Sequence, residues 1–297
     1  MNDSFISLAD GRKLGFADYG QPDGIPIFLL HGTPGSRIWD FDKEPLISGA
    51  GLRIITPERP GYGISDPLKT RTIKAYSRDI EQLATHLNIK RFHIAGLSGG
   101  GPYTLACASA LPEMVLSVTL IGSAIPLNMD GFFEGMASGN KLVFRISKQM
   151  PFLLKPLYSY TASVLRKKPE KFIKQIHTQL CPWDQAILRA TEQKGNMETL
   201  ISHIKEAYRQ GAEGVYRDSV LLAKPWQIDF QSIKPPIMLW HGEADTLMPV
   251  TPARHFAKVL PNCESHFIPE AGHFLLESDE VGKLIIQSVK ETHLNCL

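Results

Sequence analysis

Gly96-Leu97-Ser98-Gly99-Gly100 follows the largely apolar run Arg91-Phe92-His93-Ile94-Ala95 and precedes Pro102-Tyr103-Thr104-Leu105-Ala106-Cys107-Ala108. The first flank reads as a buried strand and the second as a helix. A G-x-S-x-G sequence between strand and helix is the pattern of a nucleophile elbow, a turn so sharp that its central residue takes a strained backbone conformation. Gly96 and Gly100 leave space for that turn. Ser98 would then stand at the top of a sheet with its hydroxyl exposed. A hydroxyl is a weak nucleophile at neutral pH. The reading therefore requires a base, an acid to orient it, and a site for an oxyanion.

Outward from the elbow, strands and helices alternate. Residues 4–19 read as two strands around the turn dipeptide Asp10-Gly11. Ile25 to Leu30 and Leu52 to Thr56 are short apolar runs expected to be buried on both faces. A helix is predicted over about 72–88, where Ile73, Tyr76, Ile80, Leu83, Ala84 and Leu87 lie near helical spacing. Val115 to Ile121 is a further strand. Beyond Ser123 the pattern changes: residues 124–228 hold helical stretches broken by Pro126, Pro151, Pro156, Pro169, Pro182 and Pro225, with no convincing strand. The strand pattern resumes at Pro236 to Trp240 and again near 264–268, with helices predicted at about 252–260 and 275–291. The fold class is therefore α/β, a parallel sheet with helices on both faces. Residues 1–123 and 229–297 form the core, and residues 124–228 form a helical insertion.

Composition restricts the function classes. The chain has 297 residues, 43% of them hydrophobic, and a formal net charge of +2, which suggests no nucleic-acid or polybasic membrane footprint overall. No apolar stretch is long enough to span a bilayer. The first residues lack a basic region followed by an apolar run, so no secretory leader is expected. Cys107, Cys181, Cys263 and Cys296 show no metal-binding or disulfide spacing, which points to free thiols in a reducing, cytoplasmic compartment. The charge is unevenly spread. Residues 124–228 hold 15 Lys/Arg against 9 Asp/Glu, net +6, leaving −4 for the core. Much of the excess sits in Arg166-Lys167-Lys168, Lys171 and Lys174, read as a solvated helical face, with attraction of a ligand or partner as the alternative.

The base and acid are expected from later loops in the order Ser, Asp, His. Asp245 lies just past the strand ending at Trp240, and His273 just past the strand ending near Ile268. Ser98 also follows a strand end, and open α/β sheets place their sites at that edge. Asp130, beyond the strand ending near Ile121, is the alternative acid. Two backbone amides should hold the oxyanion. Gly99 follows the nucleophile, and Thr33 lies in His31-Gly32-Thr33-Pro34-Gly35 after the first buried strand. His31 reads as a brace for that loop, and His93 and His241 as structural histidines. Arg59 and Tyr62 also read as structural.

His31-Gly32-Thr33-Pro34-Gly35, Arg59-Pro60-Gly61-Tyr62-Gly63-Ile64-Ser65, Gly96-Leu97-Ser98-Gly99-Gly100, Gly242-Glu243-Ala244-Asp245 and Gly272-His273 together resemble the α/β-hydrolase superfamily. The likeness is to the branch with an inserted cap that holds esterases, proline iminopeptidases, C–C bond hydrolases and epoxide hydrolases. It covers the core and stops at the insertion. It implies a mostly parallel eight-stranded sheet, a helical cap, the triad Ser98, Asp245 and His273, and an oxyanion site at Thr33 and Gly99. Epoxide hydrolases and haloalkane dehalogenases use an Asp nucleophile, where this chain has Ser98. Proline iminopeptidases usually carry H-G-G-P-G and G-G-S-W-G, from which Thr33, Leu97 and Gly99 depart. Their acidic anchors for a peptide N-terminus would lie in the cap, where Glu192, Glu198, Glu206 and Glu213 are available but read as surface residues.

The expected function is hydrolysis of a small-molecule carboxylic ester through an acyl-enzyme, with no metal or organic cofactor. The alternatives are a proline iminopeptidase-like aminopeptidase, a C–C bond hydrolase and, in another class, a small-ligand receptor on the same fold. The cap's apolar residues, Phe132, Phe133, Met136, Phe144, Met150, Phe152, Leu153, Leu154, Tyr158 and Tyr160, are expected to form mainly its own core, with a few facing the acyl pocket.

Overall fold

Among the described residues eight strands are present: β1 (Ser4–Ser7), β2 (Lys13–Gly20), β3 (Ile25–Leu30), β4 (Leu52–Pro57), β5 (Phe92–Leu97), β6 (Val115–Ile121), β7 (Ile237–Gly242) and β8 (Cys263–Ile268). In the computed structural model, which describes residues 4–39 and 49–296, they form one sheet of order β1-β2-β4-β3-β5-β6-β7-β8. β2 pairs antiparallel with both β1 and β4, and every other pairing is parallel. Burial explains the continuous apolar runs. Along β3, Phe28 and Leu30 join the cluster on one face of the sheet while Ile27 and Leu29 join the cluster on the other.

Helices cover both faces. α1 (Tyr76–His86) and α2 (Gly101–Ala110) pack on the first face, where Ile80, Leu83, Leu105 and Cys107 enter the larger cluster. Six helices lie in sequence between β6 and β7: α3 (Ser138–Gln149), α4 (Leu154–Lys167), α5 (Pro169–His177), α6 (Pro182–Gln193), α7 (Met197–Ala207) and α8 (Glu213–Leu222). α9 (Val250–Val259) follows β7, and α10 (Asp279–Asn295) closes the chain, sending Val281, Ile285 and Val289 into the cluster on the second face. α10 starts four residues later than the apolar pattern predicts. Ser278 accepts a 3.3 Å bond from the Val281 amide, and Asp279 and Glu280 fill the first turn, so the cap chemistry sets the start. The stretch 124–137 contains no helix, and its Phe132 and Met136 belong to the main cluster of the core.

The sheet reverses its winding between β3 and β5. These strands are neighbours, but the chain leaves β3 toward β4 on one side and β5 toward β6 on the other. A crevice opens at such a reversal, beyond the strand C-termini. Leu30 pairs with Gly96, so the loops after β3 and β5 emerge side by side into it.

Candidate active site

The elbow is built as its glycines require. Ser98 has φ +48°, the left-handed region that costs a non-glycine residue energy. A Cβ at Gly96 would meet Thr104 Oγ1 at 2.2 Å, and one at Gly100 would meet the Leu30 carbonyl oxygen at 2.3 Å. The Ser98 side chain is half-buried and lines a cavity of about 490 Å³ between the sheet edge and the inserted helices. Its hydroxyl has no hydrogen-bond partner among the described residues.

The second part of the site hangs from β7 and β8. His273 Nδ1 donates to Asp245 Oδ2 at 2.6 Å. The other carboxylate oxygen accepts the Leu247 and Met248 amides, both at 2.8 Å, which aims the pair. Gly122, at the end of β6, lies against the imidazole: a Cβ there would be 3.2 Å from His273 Nδ1. His273 lines the same cavity as Ser98. Burial alone would lower its pKa, but the charges of Asp245, Asp184 and Glu277 raise it to about 9. Burial alone would raise the Asp245 carboxyl, and the neighbouring imidazole reverses that shift. Asp130 is exposed on the loop after β6 and belongs to neither arrangement.

The third part is the loop after β3. A Cβ on Gly32 would lie 3.4 Å from Ser98 Cβ, and one on Gly99 would meet Thr33 Oγ1 at 2.4 Å. Thr33 and Gly99 are thus adjacent at the elbow, and the Thr33 amide has no acceptor among the described residues. His31 bonds its own loop at Nδ1 (Gly32 O, 2.8 Å), and its Nε2 accepts the Arg59 amide at 3.3 Å. Burial, reinforced by the charge of Arg59, holds it far below its ordinary pKa and so neutral. His93 bonds Ser117 Oγ at 2.7 Å, and His241 bonds the Met248 carbonyl at 2.7 Å.

Arg59 contributes more than its motif suggests. Its guanidinium donates to the carbonyls of His31 (2.5 Å) and Gly32 (2.8 Å) and to Thr33 Oγ1 (3.0 Å). Its Nε donates to Asp218 Oδ2 at 2.7 Å. Asp218 lies on α8 and also accepts Tyr62 OH (2.7 Å), Tyr103 OH (2.7 Å), Arg71 Nη2 (2.6 Å) and Thr33 Oγ1 (3.2 Å). Burial would raise its pKa, but the two guanidiniums and the tyrosine hydroxyls hold it well below the usual carboxylate range. A second insert carboxylate grips the histidine loop. Asp184 Oδ1 on α6 accepts the Phe274 amide at 3.0 Å, and Gly272 is glycine because a Cβ would meet Asp184 Cγ at 2.3 Å. Neither aspartate could be singled out from the sequence, because nothing in a helical pattern says which acid turns inward.

The chain belongs to the α/β-hydrolase fold family. The family model so described matches residues 25–280. An uncharacterized hydrolase of Bacillus subtilis, YcgS, is 24% identical over 93% of this chain and 95% of its own length. A proline iminopeptidase of Xylella fastidiosa is 23% identical over 94% and 93%. Among solved structures, a thermophilic esterase from Thermogutta terrifontis superposes with a TM-score of 0.67 at 21% identity, covering 100% of this chain and 99% of that one. An esterase from Exiguobacterium antarcticum gives 0.68 at 21%, covering 98% and 100%. The eight-stranded, mostly parallel sheet is the sheet that membership implies.

The inserted helices of this α/β-hydrolase chain wall the cavity with Val143, Phe144, Tyr158, Ile173, Ile176, Leu188, Leu200 and Leu222. Of the four insert glutamates available as amine anchors, none lines it. Glu206 is not a plain surface residue either, since its Oε1 pairs with the buried Arg37 at 2.5 Å. The carboxylates on the wall are Glu277, whose side chain keeps access to solvent, and Asp279, which is paired with Lys194 at 2.9 Å. Several expected cap-core residues are instead exposed: Met150, Phe152, Leu153 and Tyr160. They sit at the turn between α3 and α4 and on the outer side of α4, where no other element packs over them among the described residues.

Proposed function

We propose that the protein is a serine hydrolase of small carboxylic esters, with Ser98 as nucleophile, His273 as general base and acid, and Asp245 as the group that orients His273. The observation that carries the reading is the 2.6 Å Asp245–His273 bond in a cavity shared with the elbow serine. The Ser98 Oγ proton passes to His273 Nε2 as Oγ attacks the ester carbonyl carbon. The Thr33 and Gly99 amides receive the oxyanion. Its collapse breaks the acyl–oxygen bond, and His273 protonates the departing alcohol. Water, deprotonated by His273, then attacks the acyl-serine, releasing the acid and restoring Ser98.

The insert, residues 124–228, acts as the cap. Its apolar wall favours an apolar acyl or aryl group, and the cavity volume lies within the range of small-molecule sites. Esterases among the structural neighbours are consistent with this reading. The test is labelling by a fluorophosphonate together with turnover of p-nitrophenyl esters. Both are expected in the wild type and lost in Ser98→Ala; normal turnover in Ser98→Ala would overturn the assignment.

A second reading, an aminopeptidase, has one observation in its favour: the Glu277 carboxylate faces the cavity and has no salt-bridge partner among the described residues. Hydrolysis of prolyl-naphthylamide that falls in Glu277→Gln, with little ester turnover in the wild type, would select it.

A further inference from the structure

From Gly135 to Pro169 the chain carries seven lysines and arginines and no aspartate or glutamate. The same stretch concentrates exposed apolar side chains. Of the ten large hydrophobic side chains exposed among the described residues, six lie here: Leu142, Met150, Phe152, Leu153, Leu157 and Tyr160. Phe152 is 66% exposed and Tyr160 60%. Leu153, Leu157 and Tyr160 follow an i, i+4, i+7 spacing, so they share one side of α4. Phe152 and Met150 are exposed in the turn that joins α3 to α4. Arg145 and Lys148 on α3, and Arg166, Lys167 and Lys168 at the end of α4, are exposed as well, and Lys167 follows Tyr160 by seven residues, on the same side of α4. Lys148, Arg166, Lys167 and Lys168 have no ion-pair partner among the described residues.

We propose that the α3–α4 hairpin docks this protein on an anionic phospholipid surface, with Phe152, Leu153 and Tyr160 entering the interface and the surrounding cations meeting the headgroups. Exposed apolar side chains lose free energy in water that an acyl boundary returns, and each nearby cation gains from a negative leaflet. Nucleic acid would satisfy the cations but leave the apolar side chains uncovered. A second copy of the chain would cover them, but a two-fold contact through this face would oppose the same uncompensated cations on both partners. Attachment is peripheral, since no helix among the described residues is long and apolar enough to cross a membrane. The opposite sides of the same two helices carry Val143, Phe144, Ser147 and Tyr158 on the cavity wall, so one helical layer separates the docking face from the cavity.

Co-sedimentation with two kinds of vesicle tests the proposal: pure phosphatidylcholine, and phosphatidylcholine mixed with phosphatidylglycerol. The wild type is expected to bind the mixed vesicles, to bind the neutral ones weakly, and to be released by salt. Removing Phe152 and Leu153 together (Phe152→Ser with Leu153→Ser) should weaken the partition at least about tenfold. Lys148→Ala and Lys167→Ala should each weaken it roughly fivefold. Phe5→Ser, which removes another half-exposed aromatic far from the hairpin in sequence, should bind as wild type. Ser98→Ala should also bind normally, which separates docking from hydrolysis. Unchanged thermal melting in the hairpin variants shows that they fold. Wild-type protein that stays in the supernatant with mixed vesicles overturns the proposal, as does undiminished binding by the Phe152/Leu153 variant. A dimer in sedimentation that this variant converts to monomer, with vesicle binding unaltered, assigns the face to a second copy instead.

Discussion

The Arg59 guanidinium meets the Asp218 carboxylate at 2.7 Å, joining the loop after β4 to helix α8 of the insert, with both side chains inaccessible to solvent. Arg59 in turn holds the His31 and Gly32 carbonyls and the Thr33 hydroxyl. A carboxylate contributed by the insert thus fixes the arginine that fixes the loop after β3. Asp218 also neutralises Arg71, so its single charge faces two buried guanidiniums.

Asp218→Ala should therefore be among the most damaging substitutions outside the elbow. It strands Arg59 and Arg71 without a counter-ion, a loss of about 3–5 kcal/mol for a broken buried pair. Calorimetric melting should show this directly. Asp218→Asn keeps the shape and some of the hydrogen bonds, so it should melt closer to wild type while kcat falls more than KM rises, because the loop that aims the Thr33 amide is loosened. An Asp218→Asn protein with wild-type kcat would show that the pair serves stability alone.

Much of this architecture is legible in the sequence because it rests on short-range rules. The run Ile25–Leu30 is apolar because both faces are covered, and G-x-S-x-G needs its glycines because Thr104 and Leu30 come within contact of positions 96 and 100. Asp245 and His273 stand out because each directly follows a strand end. Asp218 and Asp184 do not. Each sits in a helix among other acids, and its role comes from a contact with residues about 185 and 90 positions away. The exposure of Phe152 and Tyr160 escapes the sequence for a related reason: apolar residues in a helix signal burial only when something packs against them.

Gly99 carries a second prediction. A methyl group at that position would lie 2.4 Å from Thr33 Oγ1 and 2.9 Å from Thr33 Cβ. Gly99→Ala must push the elbow and the loop after β3 apart, and on the proposed mechanism the Thr33 and Gly99 amides act only within a narrow distance of the developing charge. A fall in kcat on the order of a hundredfold is expected, with fluorophosphonate labelling slowed in parallel. Equal labelling rates in the two proteins would detach Gly99 from the oxyanion site.

The pH profile should be alkaline. A general base must be neutral, and His273 is held at about 9, so kcat/KM for a neutral ester should climb roughly tenfold per pH unit and level off near that value. Asp245→Asn removes the largest raising influence and leaves burial dominant, so the midpoint should drop below the ordinary histidine value while kcat falls. Glu277→Gln should lower the midpoint less. Stability carries the opposite sign. A histidine whose pKa is raised on folding stabilises the protein fully below its unfolded value, about 6.5. That contribution fades as pH rises through about 9. Melting temperatures followed across this range should decline in the wild type and decline less in Asp245→Asn.

Acyl-chain preference should be set by the insert. Ile176 on α5 and Leu200 on α7 face the cavity, whereas Ser98, Gly99 and His273 line its sheet side. Ile176→Trp adds bulk on the wall supplied by the insert, and a close-packed wall has little capacity to absorb it. Acetyl ester turnover should stay within a few-fold of wild type, and esters with longer acyl chains should lose kcat/KM progressively. Each methylene that can no longer be buried removes about 0.8 kcal/mol, close to fourfold in rate constant. A series of p-nitrophenyl esters of increasing chain length reads this out. If Ile176→Trp slows acetyl and long-chain esters equally, the acyl group lies elsewhere, and the insert acts on the sheet-edge loops through Asp218 and Asp184 and not on the substrate's tail.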